Sequence, residues 1–110
     1  MPEAIRQNIE KLVRHLLDPL RNALGYPVQI TSGYRNAEHN RRVGGVFNSD
    51  HLRGCAADFI LPGHPAPAEA VLRVIRANRL PYDQLILYKT FMHLSYREEG
   101  NRGMIIDKRV

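Results

Sequence analysis

The most informative stretch of the sequence is Ser49-Asp50-His51-Leu52-Arg53-Gly54-Cys55-Ala56-Ala57-Asp58-Phe59. Residues 55–61 read as a β-strand in which Asp58 shares a face with small and apolar residues. A carboxylate on a face that otherwise looks buried must be paired, hydrogen-bonded or metal-bound. Gly54 lets the chain turn sharply between His51 and this strand. His51 and Asp58 are therefore candidates for one site.

A third candidate ligand, His93, lies 35 residues after Asp58, in the alternating segment Phe91–Tyr96. Two histidines and one carboxylate form the ligand set of zinc sites that keep a fourth position for water, which is typical of hydrolysis. The spacing alone is weak support, because a lone histidine in a strand is more often an ordinary core or surface residue.

The N-terminal residues 3–24 predict one long amphipathic helix, since apolar side chains recur at steps of three and four. Pro19 falls inside this pattern. It predicts a kink near Leu17–Asp18, or a restart in which Asp18 caps a second helix. Gly25 is the expected C-cap.

The rest of the chain alternates short strands with two further helices. We predict strands at 28–31, 55–61, 85–88, 91–96 and 104–106, helices at 37–42 and 66–78, and a turn at 98–103. We expect a single domain over residues 1–110, of class α+β, with a small antiparallel sheet and flanking helices.

Composition excludes several classes of protein. The chain has 110 residues, of which 44% are hydrophobic and 25% are charged, as in an ordinary globular domain. A single cysteine excludes a disulfide framework and an all-cysteine zinc site. No apolar run approaches the roughly 20 residues of a membrane span. The N-terminus does not read as a signal peptide, so we expect cytoplasmic synthesis. We also expect the protein to be a monomer.

The net charge of +5 is spread evenly along the chain, and 13 of the 16 basic residues are arginine. This charge suits either a soluble basic surface or an anionic partner such as nucleic acid or a cell-wall polymer. No aromatic-rich strand motif or recognition helix supports binding to nucleic acid, so we expect none.

Several segments occur together in the order of a known family, namely Thr31-Ser32-Gly33-Tyr34-Arg35-Asn36, Val43-Gly44-Gly45-Val46, Ser49-x-His51-x-x-Gly54-x-Ala56-x-Asp58 and Phe91-Met92-His93-Leu94-Ser95-Tyr96. The chain resembles the zinc D-alanyl-D-alanine carboxypeptidases and related phage endolysin peptidases, which share a fold with the Hedgehog signalling domain. The likeness runs from about Ile30 to Arg102. It implies a Hedgehog/DD-peptidase-like fold.

The resemblance implies that His51, Asp58 and His93 bind zinc. It also implies that Arg35 faces the site, where its guanidinium could hold a substrate carboxylate or stabilise an oxyanion. Ser49 resembles a substrate-contacting serine of the family. Two alternatives stay open: Arg35 braces its loop, and Ser49 only caps a turn.

The implied reaction is hydrolysis of a peptide bond that involves D-amino acids in peptidoglycan stem peptides, by a carboxypeptidase or an endopeptidase. Zinc lowers the pKa of its bound water and polarises the scissile carbonyl. Without an export signal, release to the cell wall in a phage or prophage setting is the expected route. The alternative is a non-catalytic zinc-binding module that recognises cell-wall peptides or a protein partner.

The chain departs from the family where a general base is expected. Family members usually carry a carboxylate a few residues before the second zinc histidine, and residues 87–92 contain none. The candidates are Asp83, Asp50 and Tyr88. Tyr88 faces the same way as His93 if residues 89–90 form a tight turn, although its pKa near 10 makes it a weak base.

Overall fold

The N-terminal helix is continuous but changes its winding in the middle. The computed structural model describes residues 2–34 and 50–109. Helix α1 (Glu3–Leu12) leads through a π-helical segment (Val13–Leu17) into α2 (Asp18–Leu24). The wider π turn ends two residues before Pro19, which has no N–H to donate to the preceding turn. Helix α2 begins at Asp18, but the predicted cap at Asp18 is wrong, because Leu17 and Asp18 both have right-handed helical dihedrals. The predicted C-cap at Gly25 is confirmed by its φ of 60°.

The remaining elements follow the predicted order. They are β1 (Gln29–Ser32), a 3-10 turn (Asp50–Arg53), β2 (Ala56–Ile60), α3 (Pro67–Asn78), β3 (Gln84–Leu87), β4 (Met92–Ser95) and β5 (Met104–Asp107). The helix predicted at 37–42 lies outside the described residues.

The strands form one sheet in the order β1-β2-β4-β3-β5. The α+β class is confirmed, but the sheet is mixed. The pairs β1–β2, β2–β4 and β4–β3 are antiparallel, whereas β5 pairs with β3 in parallel. The expectation of an antiparallel sheet is wrong at β5, because the chain after β4 crosses the start of β3 before it enters the sheet.

The two faces of the sheet have different neighbours. One face packs on the helices, and its buried side chains include Phe59, Leu85 and Leu94, which join Leu16 and Val71 in the core. The other face carries a row of register partners, one from each strand: Ser32, Asp58, His93, Ile86 and Ile106. The row brings two of the three candidate ligands side by side on neighbouring strands.

Candidate metal centre

Asp58 and His93 approach because their strands are adjacent and in register. Asp58 on β2 is the Cα partner of His93 on β4. Paired residues of an antiparallel ladder present their side chains on the same face. Asp58 Oδ1 and His93 Nδ1 lie 2.9 Å apart, and each of these side chains is only 13% exposed.

His51 reaches the same point from the 3-10 turn before β2. Its Nε2 lies 3.2 Å from Asp58 Oδ1 and 3.3 Å from His93 Nδ1. The His51 ring is 2% exposed. The Nδ1–H of this ring donates to the carbonyl oxygen of Gly33 at 2.8 Å. This hydrogen bond holds the ring in an orientation in which Nε2 faces Asp58 and His93.

Gly54 connects His51 to β2 and allows the turn to lie against α1. Its φ of 74° is in the left-handed region that favours glycine. A Cβ at this position would lie 2.8 Å from Ile9 Cγ1 and 3.0 Å from the Ile5 carbonyl oxygen. The Asn8 side chain also donates to the carbonyl oxygen of Arg53 at 3.0 Å. The first helix therefore sets the position of the turn that carries His51.

The three ligand atoms have the spacing of a tetrahedral zinc site. Bonds of about 2.0–2.1 Å to a tetrahedral ion place neighbouring ligand atoms about 3.3 Å apart. The observed separations of 2.9, 3.2 and 3.3 Å are close to this value. His51, Asp58 and His93 could therefore hold a metal ion, and three protein ligands leave the fourth tetrahedral position for water or substrate.

The carboxyl of Asp58 has a lowered pKa. Burial by itself raises the pKa of its carboxyl, but hydrogen bonding to His51 and His93 outweighs burial and lowers the pKa to about 2. An ionised carboxylate between two imidazoles is suited to a divalent cation, because it offsets part of the positive charge.

Two oriented imidazoles and a carboxylate are a ligand set that mononuclear metallohydrolases with an open coordination position use. The sequence profile of the Peptidase M15 family matches residues 3–95, and the chain belongs to this family. Its members are zinc-dependent peptidases, which the ligand set here fits. No protein in the curated set matches the chain.

Two of the predicted site residues, Arg35 and Ser49, lie outside the described residues. Tyr88 is described, and the predicted tight turn at 89–90 is present: the Tyr88 N–H donates to the Phe91 carbonyl at 3.0 Å. Its ring stacks on Phe91 with centroids 4.5 Å apart. By strand alternation from Ile86, the Tyr88 side chain lies on the sheet face that carries His93.

Asp83 is buried and bound to two arginines. Arg102 donates to both carboxylate oxygens, at 3.0 and 2.8 Å, and Arg97 Nε lies 3.2 Å away. Hydrogen bonds from Arg102 lower the pKa of the carboxyl, which also makes it a weaker base. These contacts hold the connection between β4 and β5 against the start of β3. They favour a structural role for Asp83 and give no support to a catalytic one.

Asp50, the other carboxylate considered as a base, forms an ion pair with Arg53 one turn later. Among residues 2–34 and 50–109, only Asp58 contributes a carboxylate to the histidine cluster. The Gly33 carbonyl that orients His51 was not predicted from the sequence. No residue-type signal could have revealed it, because every residue offers a backbone carbonyl.

The structural role of Asp83 gives a pH-dependent prediction. We expect Asp83→Asn to lower the free energy of unfolding by about 2 kcal/mol at pH 7, because the amide leaves the arginines without a charged acceptor. The folded pKa is lowered, so the contribution is complete above the unfolded pKa of about 3.9 and is lost as the pH falls below it.

Denaturant titrations of Asp83→Asn and the parent protein at pH 7 and pH 3 measure this effect. Asp107→Asn is the matched control, since its exposed pair with Arg109 is screened by solvent. A stability difference that is as large at pH 3 as at pH 7 would contradict the assignment.

Proposed function

We propose that this protein is a zinc-dependent peptidase that hydrolyses peptide bonds involving D-amino acids in peptidoglycan stem peptides, as a carboxypeptidase or an endopeptidase. The observation that carries the proposal is the convergence of His51 Nε2, Asp58 Oδ1 and His93 Nδ1 within 3.3 Å of one another. Membership of the Peptidase M15 family supports peptide hydrolysis.

In this proposal His51, Asp58 and His93 hold the zinc ion. Bound zinc supplies an activated water near neutral pH and polarises a carbonyl oxygen. Asp58 contributes the negative charge of the ligand set, and the hydrogen bond to Gly33 keeps the His51 ring in its ligating orientation. The low exposure of all three side chains strengthens their electrostatic interactions.

Three further residues are proposed to act on the substrate. Arg35 stays the proposed anchor for a substrate carboxylate or an oxyanion, and Ser49 stays a proposed substrate contact. Tyr88 offers a phenolic O–H, which could donate a hydrogen bond to the developing oxyanion or to the leaving group. Its role is to donate, because a phenol is a poor proton acceptor at neutral pH.

Peptidoglycan is the proposed substrate because the chain resembles wall peptidases and carries a net charge of +5. A basic surface favours association with the anionic cell wall. No helix among the described residues could span a lipid bilayer. Release to the wall in a phage or prophage setting is part of this proposal.

Hydrolysis of purified cell walls and of synthetic peptides that end in D-Ala-D-Ala or L-Ala-L-Ala tests the proposal. We expect release of free amines from the walls and from the D-peptide only, loss of activity with a chelator, and recovery with zinc. Cleavage that persists in the chelator, or equal cleavage of the L-peptide, would contradict it.

A second candidate function is a zinc-binding module that recognises wall peptides without cutting them. Its support is the composition of the ligand cluster. Of the carboxylates in residues 2–34 and 50–109, only that of Asp58 belongs to this cluster. Asp83 and Asp50 are engaged by arginines. Stoichiometric zinc and peptide binding, together with no hydrolysis of walls or D-peptides, would favour this candidate.

A further inference from the structure

A cleft of about 390 Å³ opens between the β3–β4 turn and the chain that leads from β2 into α3. We call it the hairpin cleft. Its walls are mainly apolar and include Ile60, Pro62, Pro67, Tyr88 and Phe91. Polar side chains stand at its rim. This combination is typical of a site for a small apolar group whose end is charged.

Two side chains that line the hairpin cleft, Ile60 and Phe91, are neighbours in sequence of two of the candidate ligands. Ile60 follows Asp58 by two residues, and Phe91 precedes His93 by two residues, so these side chains lie on the same sheet face. Two residues of a strand span about 7 Å, which is also about the length of two residues of an extended peptide. A substrate bound at the metal centre would therefore place a neighbouring side chain at the cleft.

The walls of the cleft are held in place before any ligand binds. Tyr88 and Phe91 stack with ring centroids 4.5 Å apart, and Lys108 Nζ lies 5.9 Å from the Tyr88 centroid. On the opposite side, the Tyr26 hydroxyl donates to the Pro62 carbonyl. A preformed wall loses little conformational entropy on binding.

The rim of the cleft carries charges of both signs. Glu69 Oε1 lies 3.0 Å from Arg109 Nη1, and the same guanidinium also binds Asp107. Lys89 is exposed on the turn between β3 and β4. An acid and a separate base at one rim match a ligand group that itself carries an ammonium and a carboxylate.

We propose that the hairpin cleft is a specificity subsite for a substrate residue with a long aliphatic side chain that ends in an amino-carboxylate group, as in diaminopimelate. The methylenes pack on Ile60, Tyr88 and Phe91. The ammonium is placed near Glu69 and the carboxylate near Lys89. A lysine side chain keeps the ammonium that would lie near Glu69 but lacks the carboxylate that would lie near Lys89. This inference rests on the proposed function, whose substrate class it narrows.

Two soluble stem peptides that differ only in meso-diaminopimelate or L-lysine test the subsite. Calorimetric titration of the chelator-treated protein, which cuts neither peptide, is expected to show at least about five-fold tighter binding of the diaminopimelate peptide. Lys89→Glu is expected to abolish this preference. Arg76→Glu makes the same charge change on an exposed part of α3 away from the cleft and is expected to retain the preference.

Equal affinity of the parent protein for the two peptides, or an unchanged preference in Lys89→Glu, would overturn the subsite. Phe91→Ala is a second test. It should weaken the binding of both peptides, because it removes the aromatic wall of the cleft. Hydrolysis assays of the zinc-loaded protein separate the two proposals. Cleavage without preference rejects the subsite alone, whereas preferential binding without cleavage rejects the peptidase function alone.

Discussion

Replacing His93 with alanine is expected to remove stoichiometric zinc and to lower peptidase activity by at least about a thousand-fold. The reason is geometric: His93 Nδ1 lies 2.9 Å from Asp58 Oδ1 and 3.3 Å from His51 Nε2, and its loss leaves two protein ligands. Metal analysis of the purified variant and initial rates on a D-Ala-D-Ala peptide measure the two effects.

His15→Ala is the matched control for this experiment. His15 is exposed and stacks on Tyr96 with centroids 5.5 Å apart, away from the ligand cluster. Its variant is expected to keep both zinc and activity. A His93→Ala protein that retained one zinc per chain and near-parental rates would show that the ion lies elsewhere.

The second large effect is expected at Gly54, where Gly54→Ala should lower the free energy of unfolding by about 3 kcal/mol. Part of this loss is the cost of a left-handed backbone for alanine. The rest comes from the contact with Ile9 and Ile5, where the new Cβ would lie 2.8 and 3.0 Å from existing atoms. For a domain of this size the melting temperature should fall by about 12–20 °C.

Gly100→Ala separates the two causes. Gly100 has a φ of 76°, close to the 74° of Gly54, but a Cβ there would meet nothing within 4 Å. Its variant should show only the backbone cost, about 1 kcal/mol. Equal melting temperatures for the two variants would contradict close packing of the His51 turn against α1.

The cluster of His51, Asp58 and His93 was predictable because the sequence signals for it are local or belong to a motif. Strand alternation predicted which face of its strand carries Asp58 and which carries His93. The glycine at position 54 predicted a sharp turn after His51. The convergence of all three came from the family resemblance, since nothing in the spacing alone states which strands are neighbours. The ladder between β2 and β4 supplies that information.

The parallel placement of β5 was not predictable from the same signals. The residue pattern of Met104–Asp107 predicts a strand, but it does not say whether this strand runs parallel or antiparallel to its neighbour. The segment before it predicts only a turn. The determining contacts are between residues distant in sequence. Arg97 and Arg102 bind Asp83, and the Gly103 N–H donates to the Tyr82 carbonyl at 2.9 Å. These contacts hold the chain as it crosses the start of β3.

The π-helical segment shows a similar limit. Pro19 indicated a disturbance, and the sequence placed it at Leu17–Asp18. The irregular winding instead lies at Val13–Leu17, before the proline. The helix then continues through Asp18 with ordinary helical dihedrals. Burial of Leu16 and Leu20 in the common core favours the continuous path.

X-ray absorption at the zinc edge of the purified protein tests the metal centre most directly. We expect one zinc per chain, with only nitrogen and oxygen neighbours at about 2.0–2.2 Å and the multiple-scattering signature of two imidazoles. A sulfur neighbour at about 2.3 Å, which would implicate Cys55, or a shell without imidazole would contradict the assignment of His51, Asp58 and His93.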